Sequence, residues 1–292
     1  MFKALLKTMR PRQWTKNVFV LSALVFDRKL LHLPELWNTL AGFVLFCLLS
    51  SIVYIINDLG DIEADRAHPE KRNRPLASGA LPVSVARFTA LLLTLIVFPL
   101  AYWLSWKFFL VALLYFVMNL AYSRTLKHIP LIDVLIVAAG FVLRVSAGVV
   151  LVEVERFSPW LYVVTTLLSL YIGFGKRRSE LTLLAGNANA HRKVLEGYTI
   201  PFLDQLITIV SGTTIIAYSL YTFSAPNLPE NHAMMLTIPF VIYGIFRYLY
   251  IVQIEGRGGS PEEVVLTDRP MQITIALWGL AVLVIFYLMT PL

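Results

Sequence analysis

Three aspartates, Asp58, Asp61 and Asp65, close a long apolar stretch at spacings of i, i+3 and i+7. On a continuing helix this spacing puts them within about 60° of one another on one face. Carboxylates so placed repel each other unless a cation neutralises them. Oxygen donors of this kind suit Mg2+, which is typically held by one or two carboxylates together with phosphate oxygens of a ligand. A solvated acidic loop is the plainer alternative. It fits less well, because the aspartates follow an apolar helix and lead into the basic run Lys71-Arg72-Asn73-Arg74-Pro75. The expectation is a cation–diphosphate site in which Asp58, Asp61 and Asp65 are the metal-binding and catalytic residues, with Asn57, Arg72 and Arg74 on the ligand. Either arginine can equally be an anchor at head-group level.

Other polar clusters sit at the ends of apolar stretches. Tyr122 is an interfacial aromatic or a ligand contact, and Lys127 nearby suits a phosphate; Asp133 stands at the start of the next apolar stretch. The run Lys176-Arg177-Arg178-Ser179-Glu180 reads as an anion site, as positive anchoring, or as an i, i+4 pair between Lys176 and Glu180. At the N-terminus, Lys16 and Asn17 can donate to a lipid phosphate, or the segment Arg10 to Asn17 can be an interfacial anchor built on Trp14 and its basic residues. Arg247 and Arg144 fall inside apolar stretches, where an ionisable group is a functional candidate by default. Arg247 is expected to reach a cavity, and Arg144 to pair with Glu153 or Glu155. The glycines at 256, 258 and 259 permit either a lid or a plain connector. The polar stretch from Asn187 to Gly197 reads as a surface loop with a solvated His191.

These groups need a scaffold, and the composition says which kind. The 292 residues are 58% hydrophobic and 15% charged, with a mean hydropathy of +0.70. That is more apolar surface than a soluble domain of this length hides in one core. A helix crosses the hydrocarbon core with about 20 apolar residues. Nine stretches qualify, at about 14–31, 36–56, 83–105, 107–122, 131–151, 159–175, 202–223, 234–254 and 271–290. The first is cut short by Asp27, Arg28 and Lys29, and the third and fourth meet in a tight hairpin at Ser105–Lys107. The chain therefore reads as an all-α integral membrane protein, one helical domain over residues 1–292. Most Lys and Arg residues fall at the N-terminus and in alternate loops, which puts that side in the cytoplasm and the C-terminus outside. The net charge of +7 flanks apolar stretches. It points to membrane topology and phosphate-bearing ligands rather than to nucleic acid. The single Cys47 excludes an internal disulfide.

The stretch Asn57-Asp58-Leu59-Gly60-Asp61-Ile62-Glu63-Ala64-Asp65 resembles the N-D-x-x-D-x-x-x-D motif of the UbiA-type prenyltransferase superfamily, and Asn73 to Gly79 matches its downstream motif. The resemblance extends over nearly the whole chain and implies a bundle of nine transmembrane helices. Prenyl-diphosphate users of that superfamily usually carry a second D-x-x-x-D after the sixth helix. Here Lys176 to Glu180 has no Asp pair. With Arg10 to Asn17 and Asp268-Arg269-Pro270, this is similar to the polyprenyl-phosphate phosphoribosyltransferase branch. That branch implies transfer of 5-phosphoribose from phosphoribosyl diphosphate (PRPP) to a decaprenyl-type lipid phosphate, with Mg2+ and with cell-wall use of the product. On this reading Lys16, Lys176 and Arg177 bind the acceptor or the 5-phosphate, with Asn17, Tyr122, Lys127, Glu180 and Arg247 also on substrate. Prenyl transfer from a prenyl diphosphate to an aromatic acceptor is the alternative, and a lipid transporter a more distant one. Association into a homo-oligomer stays open.

Overall fold

The computed structural model describes residues 1–67, 71–152, 158–184, 193–226, 228–259 and 261–289. Among these there is helix and no strand. Two compact units are distinguished: Met1–Leu126 with Leu143–Val154, and Lys127–Val142 with Glu155–Leu292.

The first unit begins with α1 (Phe2–Met9), a 3₁₀ segment over Pro11–Leu21, and a short α2 (Ser22–Phe26). Then come α3 (Leu33–Gly60), α4 (Ile62–Ala67), α5 (Val83–Leu104) and α6 (Trp106–Arg124). The C-terminal part of α7 (Ile132–Val149) also belongs to this unit. Helix α3 starts with a proline in its first turn and Glu35 beside it, both suited to a helix N-terminus. Ser105 both ends α5 and caps α6, its Oγ accepting from Phe108 N at 3.4 Å. That makes the expected hairpin as tight as a helix pair allows. The core of this unit is aromatic and aliphatic: Phe46, Leu49, Ile52, Val97, Phe108 and Tyr115. Phe46 meets Tyr115 with ring centroids 4.8 Å apart.

The second unit holds the start of α7, α8 (Pro159–Leu184), α9 (Ile200–Ser224), α10 (Ile238–Tyr250), α11 (Pro261–Thr267) and α12 (Arg269–Tyr287). Its core is built on Tyr171, Phe174, Leu203, Ile207, Ile245 and Tyr248. The Tyr171 hydroxyl donates to Ile245 O at 2.6 Å, giving a buried polar atom its partner.

Among the described residues, seven helical stretches are long and apolar enough to cross a membrane: Leu33–Gly60, Val83–Leu104, Trp106–Arg124, Ile132–Val149, Ile200–Ser224, Ala233–Glu255 and Arg269–Tyr287. Their outer faces leave side chains such as Leu91, Leu95, Trp103, Leu114 and Leu280 largely exposed, which is the surface a bilayer covers. The expected nine spans are not confirmed, and the differences have physical causes. The first stretch is a 3₁₀ segment and one short helix, ended at Asp27 and Arg28, whose φ is +59°. The sixth, α8, has the length at 26 residues, but its last third carries Lys176, Arg177, Arg178 and Glu180.

Candidate active site

Helix α3 does not run on through the acidic motif. It ends at Gly60, with Asp61 at φ −102° and ψ 10°, and α4 resumes at Ile62. The shared helical face expected for the three aspartates is thus interrupted at the middle one. What joins the outer two is Arg74, whose Nη1 lies 2.7 Å from Asp65 Oδ2 and 3.3 Å from Asp58 Oδ1. Arg74 is held there by a compact turn. Ser78 N donates to Arg74 O and Leu81 N to Pro75 O, both at 2.9 Å, while Leu76, Ala77 and Leu81 bury themselves. Gly79 takes φ +78°, a conformation that favours glycine.

A second guanidinium comes from the N-terminal segment: Arg10 Nη2 lies 2.6 Å from Asp58 Oδ1. The carboxylates are nearly sealed, at 3% and 5% exposure for Asp58 and Asp65, while Arg10 and Arg74 remain 30% and 29% exposed. An anion arriving from solvent therefore meets guanidinium groups before it meets carboxylates. Among the described residues no three His, Cys, Asp or Glu side chains form a metal-holding group by themselves. The donor set still fits a hard divalent cation. Two buried carboxylates converge on one cation, and the neighbouring Asn57 Oδ1 is buried without a hydrogen-bond partner. Mg2+ bound by protein carboxylates commonly completes its shell with water and substrate phosphate. Arg72 is exposed in the turn Lys71–Asn73.

Lys16 is half-buried in the 3₁₀ segment, whereas Asn17 is fully buried and engaged. The Asn17 Oδ1 accepts from Arg144 Nε at 2.8 Å and from Ser50 Oγ at 3.3 Å, and its amide reaches Cys47 Sγ at 3.3 Å. Arg144 also donates to the Tyr115 hydroxyl at 2.9 Å and lies over its ring. The structure thus uses Asn17 to hold Arg144, not to face a lipid head group. Glu153 and Glu155, the partners expected for Arg144, lie outside the described residues.

In the second unit, Arg177 is buried between two acids, its Nε 2.6 Å from Asp133 Oδ2 and its Nη1 2.6 Å from Glu180 Oε2. The Tyr198 hydroxyl donates to Asp133 Oδ1 at 2.7 Å and accepts from Leu131 N at 2.6 Å. Burial, then the bond to Asp133, pushes the Tyr198 phenol far above its ordinary range, so it keeps its proton. Arg178 pairs with Asp204 at 2.5 Å and also reaches Val252 O. Of the basic triplet, Lys176 is half-buried and has no ion pair among the described residues. Glu180, one alternative partner for Lys176 at i, i+4, instead pairs with Arg177 at i, i+3.

Arg247 is likewise engaged. Its Nη2 lies 2.6 Å from Asp268 Oδ2 and 3.0 Å from Glu255 Oε1. Asp268 also caps α12, accepting from Met271 N at 2.9 Å, and the Arg247 guanidinium holds its carboxyl below the usual range. The connector between them turns at Gly256, φ +67°, and carries Glu255 paired with Arg257. Arg247 therefore clasps this connector to the start of α12. Tyr122 and Lys127 are half-buried near the end of α6 and in the turn Leu126–His128. Of the expected surface loop at 187–197, residues 187–192, including His191, lie outside the described residues, and Val194 and Leu195 are buried in the core.

Sequence reasoning passed over Arg10 as an acid partner and gave no role to Asp204 or Glu255. The signal for Arg10 was available. Ser51, Tyr54 and Asp58 share one face of α3, and a segment docked along that face brings its residue 10 to the aspartate.

The chain is similar to known proteins. The sequence profile of the UbiA prenyltransferase family matches residues 18–262. A decaprenyl-phosphate phosphoribosyltransferase of Mycolicibacterium smegmatis is 35% identical over 289 residues, covering 94% of this chain and 89% of that protein. The Corynebacterium glutamicum protein of the same name is 32% identical, covering 98% and 87%. Among solved structures, a UbiA homologue from Archaeoglobus fulgidus bound to GPP and Mg2+ has a TM-score of 0.72 at 20% identity, covering 97% of this chain and 99% of that one. The same homologue bound to DMAPP and Mg2+ gives 0.71, again at 20% identity and with the same coverage.

Proposed function

Because the chain belongs to the UbiA prenyltransferase family, and is similar over nearly its full length to decaprenyl-phosphate phosphoribosyltransferases, we propose that it transfers 5-phosphoribose from PRPP to a polyprenyl phosphate, releasing diphosphate. It is a transferase and a multi-pass membrane protein. The remaining particulars are our reading: residues 1–292 as one catalytic domain, the plasma membrane as its site, and the N-terminus and acidic motif on the cytoplasmic side. The Lys and Arg bias supports that orientation.

The observation that carries the proposal against prenyl transfer is at the end of α8. By the resemblance, the run Lys176 to Glu180 stands where prenyl-diphosphate users of the family carry a D-x-x-x-D pair, and here Arg177 within it is ion-paired to Asp133 and Glu180. The Asp58–Asp65 cluster, with guanidinium groups at its open side, suits one diphosphate donor plus a second phosphate-bearing substrate.

Asp58 and Asp65, with Asn57 Oδ1, would hold Mg2+, and Asp61 stands at the break between them. Bound Mg2+ supplies charge neutralisation on the diphosphate. Arg74, and Arg72 from its exposed turn, donate to the departing oxygens and stabilise charge as the bond to ribose C1 breaks. Positive charge then develops on the ribose ring, as in other glycosyl transfers. The lipid phosphate is already ionised near neutral pH, its second pKa being about 6 by analogy with phosphorylated side chains. The chain therefore has only to bind and orient the acceptor and needs no strong base; Lys16 and Tyr122 in the first unit, and separately Lys127 and Lys176 in the second, are the candidates for phosphate contact. A single displacement inverts C1.

The test is a transfer assay on purified protein with radiolabelled PRPP, a polyprenyl phosphate and Mg2+. Label must enter the lipid phase and be lost with EDTA and in Asp58→Asn. Folded protein that moves no label from PRPP but consumes a prenyl diphosphate sinks this reading in favour of prenyl transfer.

A further inference from the structure

The N-terminal segment is laid along α3 in register. Met9 O accepts from Ser51 Oγ at 3.2 Å, and Trp14 Nε1 donates to the same Ser51 Oγ at 3.1 Å. One turn further along α3, Arg10 lies over the Tyr54 ring at 4.9 Å, and a turn beyond that it reaches Asp58. The backbone at Arg10 is left-handed, φ 54° and ψ 60°, and its N–H donates to Lys7 O as α1 ends. A non-glycine residue in that conformation is uncommon and persists only where its surroundings fix it. Here Pro11, Met9 in the apolar cluster with Ile55 and Leu81, and the Tyr54 face all fix it.

The two guanidinium groups at the acidic pair are not equivalent. Arg74 bridges both carboxylates from within the same stretch of chain. Arg10 is as exposed as Arg74, but it engages one carboxylate only and rests its flat face on Tyr54. A planar fork with five donors can release one oxygen and take another without leaving the ring it rests on. A divalent cation held by Asp58 would compete with Arg10 for that carboxylate, because both cannot neutralise it at full strength.

We propose that Arg10 is an exchange cation of the acidic site: it holds Asp58 in place, and yields that carboxylate to an incoming divalent cation while turning its own donors to the accompanying diphosphate. This rests on reading Asp58 and Asp65 as the divalent-cation site. It makes Arg10 a binding residue delivered by the N-terminal segment, and Tyr54 the residue that positions it.

The test measures binding of Mn2+ to the full-length protein in detergent by electron paramagnetic resonance, alone and with inorganic diphosphate. Arg10→Gln removes the competitor, so Mn2+ alone binds more tightly. It also removes a diphosphate donor, so the Mn2+–diphosphate complex binds about tenfold more weakly, the effect of one charge-assisted hydrogen bond. Arg10→Lys, which keeps the charge but not the fork, falls between, and so does Tyr54→Leu. Opposite signs in the two titrations support the proposal. Equal weakening of both, or no change in either, overturns it and leaves Arg10 a purely structural tether. Asp65→Asn separates the premise. If it binds Mn2+ as the wild type does, both alone and with diphosphate, the acidic pair is not the cation site, whatever Arg10 does.

Discussion

Arg177 lies 2.6 Å from Asp133, with the arginine side chain 5% exposed and the aspartate fully buried. Charges so far from water cost several kcal/mol each to desolvate, and only close geometry and filled hydrogen-bond positions offset that. Both conditions are met: Glu180 takes a second guanidinium nitrogen, and Tyr198 donates to the other Asp133 oxygen. The cluster joins the start of α7, the end of α8 and the Tyr198 turn within one unit.

Removing one member strands the others. Arg177→Met is expected to lower unfolding free energy by about 3–5 kcal/mol, the range for breaking a buried pair. Tyr198→Phe, which deletes one hydrogen bond, should cost about 1 kcal/mol. Thermal unfolding in detergent ranks the two. If Arg177→Met melts like the wild type while transfer collapses, Arg177 is a substrate ligand and the structural account of it is wrong.

The clasp between Arg247 and Asp268 carries a pH signature. Asp268 has its folded carboxyl pKa lowered by Arg247, relative to an unfolded value of about 3.9. Its contribution is therefore fully present above pH about 4 and is lost as pH falls through the lower folded value. A melting-temperature profile should show an acid-side decline that Asp268→Asn flattens, along with lower stability at neutral pH. A wild-type profile already falling between pH 7 and 5 would place the titrating group elsewhere.

Most span positions were legible because an apolar run of bilayer length has few other uses: Val83–Leu104, Trp106–Arg124 and Ile200–Ser224 lie within two residues of expectation. The motif residues were legible by type. What each side chain holds was not, because pairing is decided by segments distant in sequence. Nothing near Asn17 announces Arg144, 127 residues away, yet that contact takes up its amide oxygen. Arg247 likewise finds its acid 21 residues on, at the cap of α12. The first stretch misled for a different reason. Its apolar content is helical in amount, but the chain from Pro11 to Leu21 is wound as 3₁₀, the register in which its side chains meet α3.

That close seating gives a steric prediction. A Cβ at Gly148 would lie 2.0 Å from Val20 O and 2.9 Å from Val20 C, both backbone atoms of the 3₁₀ segment. Gly148→Ala must push that segment away, a cost of at least about 1–3 kcal/mol as for other overpacked sites. Gly212→Ala, on the exposed face of α9 with nothing within 4 Å, should leave the melting temperature unchanged or raise it slightly. Equal behaviour of the two variants would show that the 3₁₀ segment is not seated on α7.

Lys176 and Arg178 are two residues apart on α8 and should part company in assay. Arg178 is held by Asp204 at 2.5 Å and by Val252 O, so Arg178→Ala removes a structural tie and lowers the melting temperature. Lys176 has no such tie among the described residues and is the member of the triplet assigned to an anionic substrate. Lys176→Ala should therefore keep the wild-type melting temperature and raise KM for one phosphate-bearing substrate about tenfold, the loss of a single charge-assisted contact. Titrating PRPP and polyprenyl phosphate separately tells which substrate it serves. If neither KM moves, Lys176 is an interfacial anchor, and the anion-binding role falls to the N-terminal unit alone.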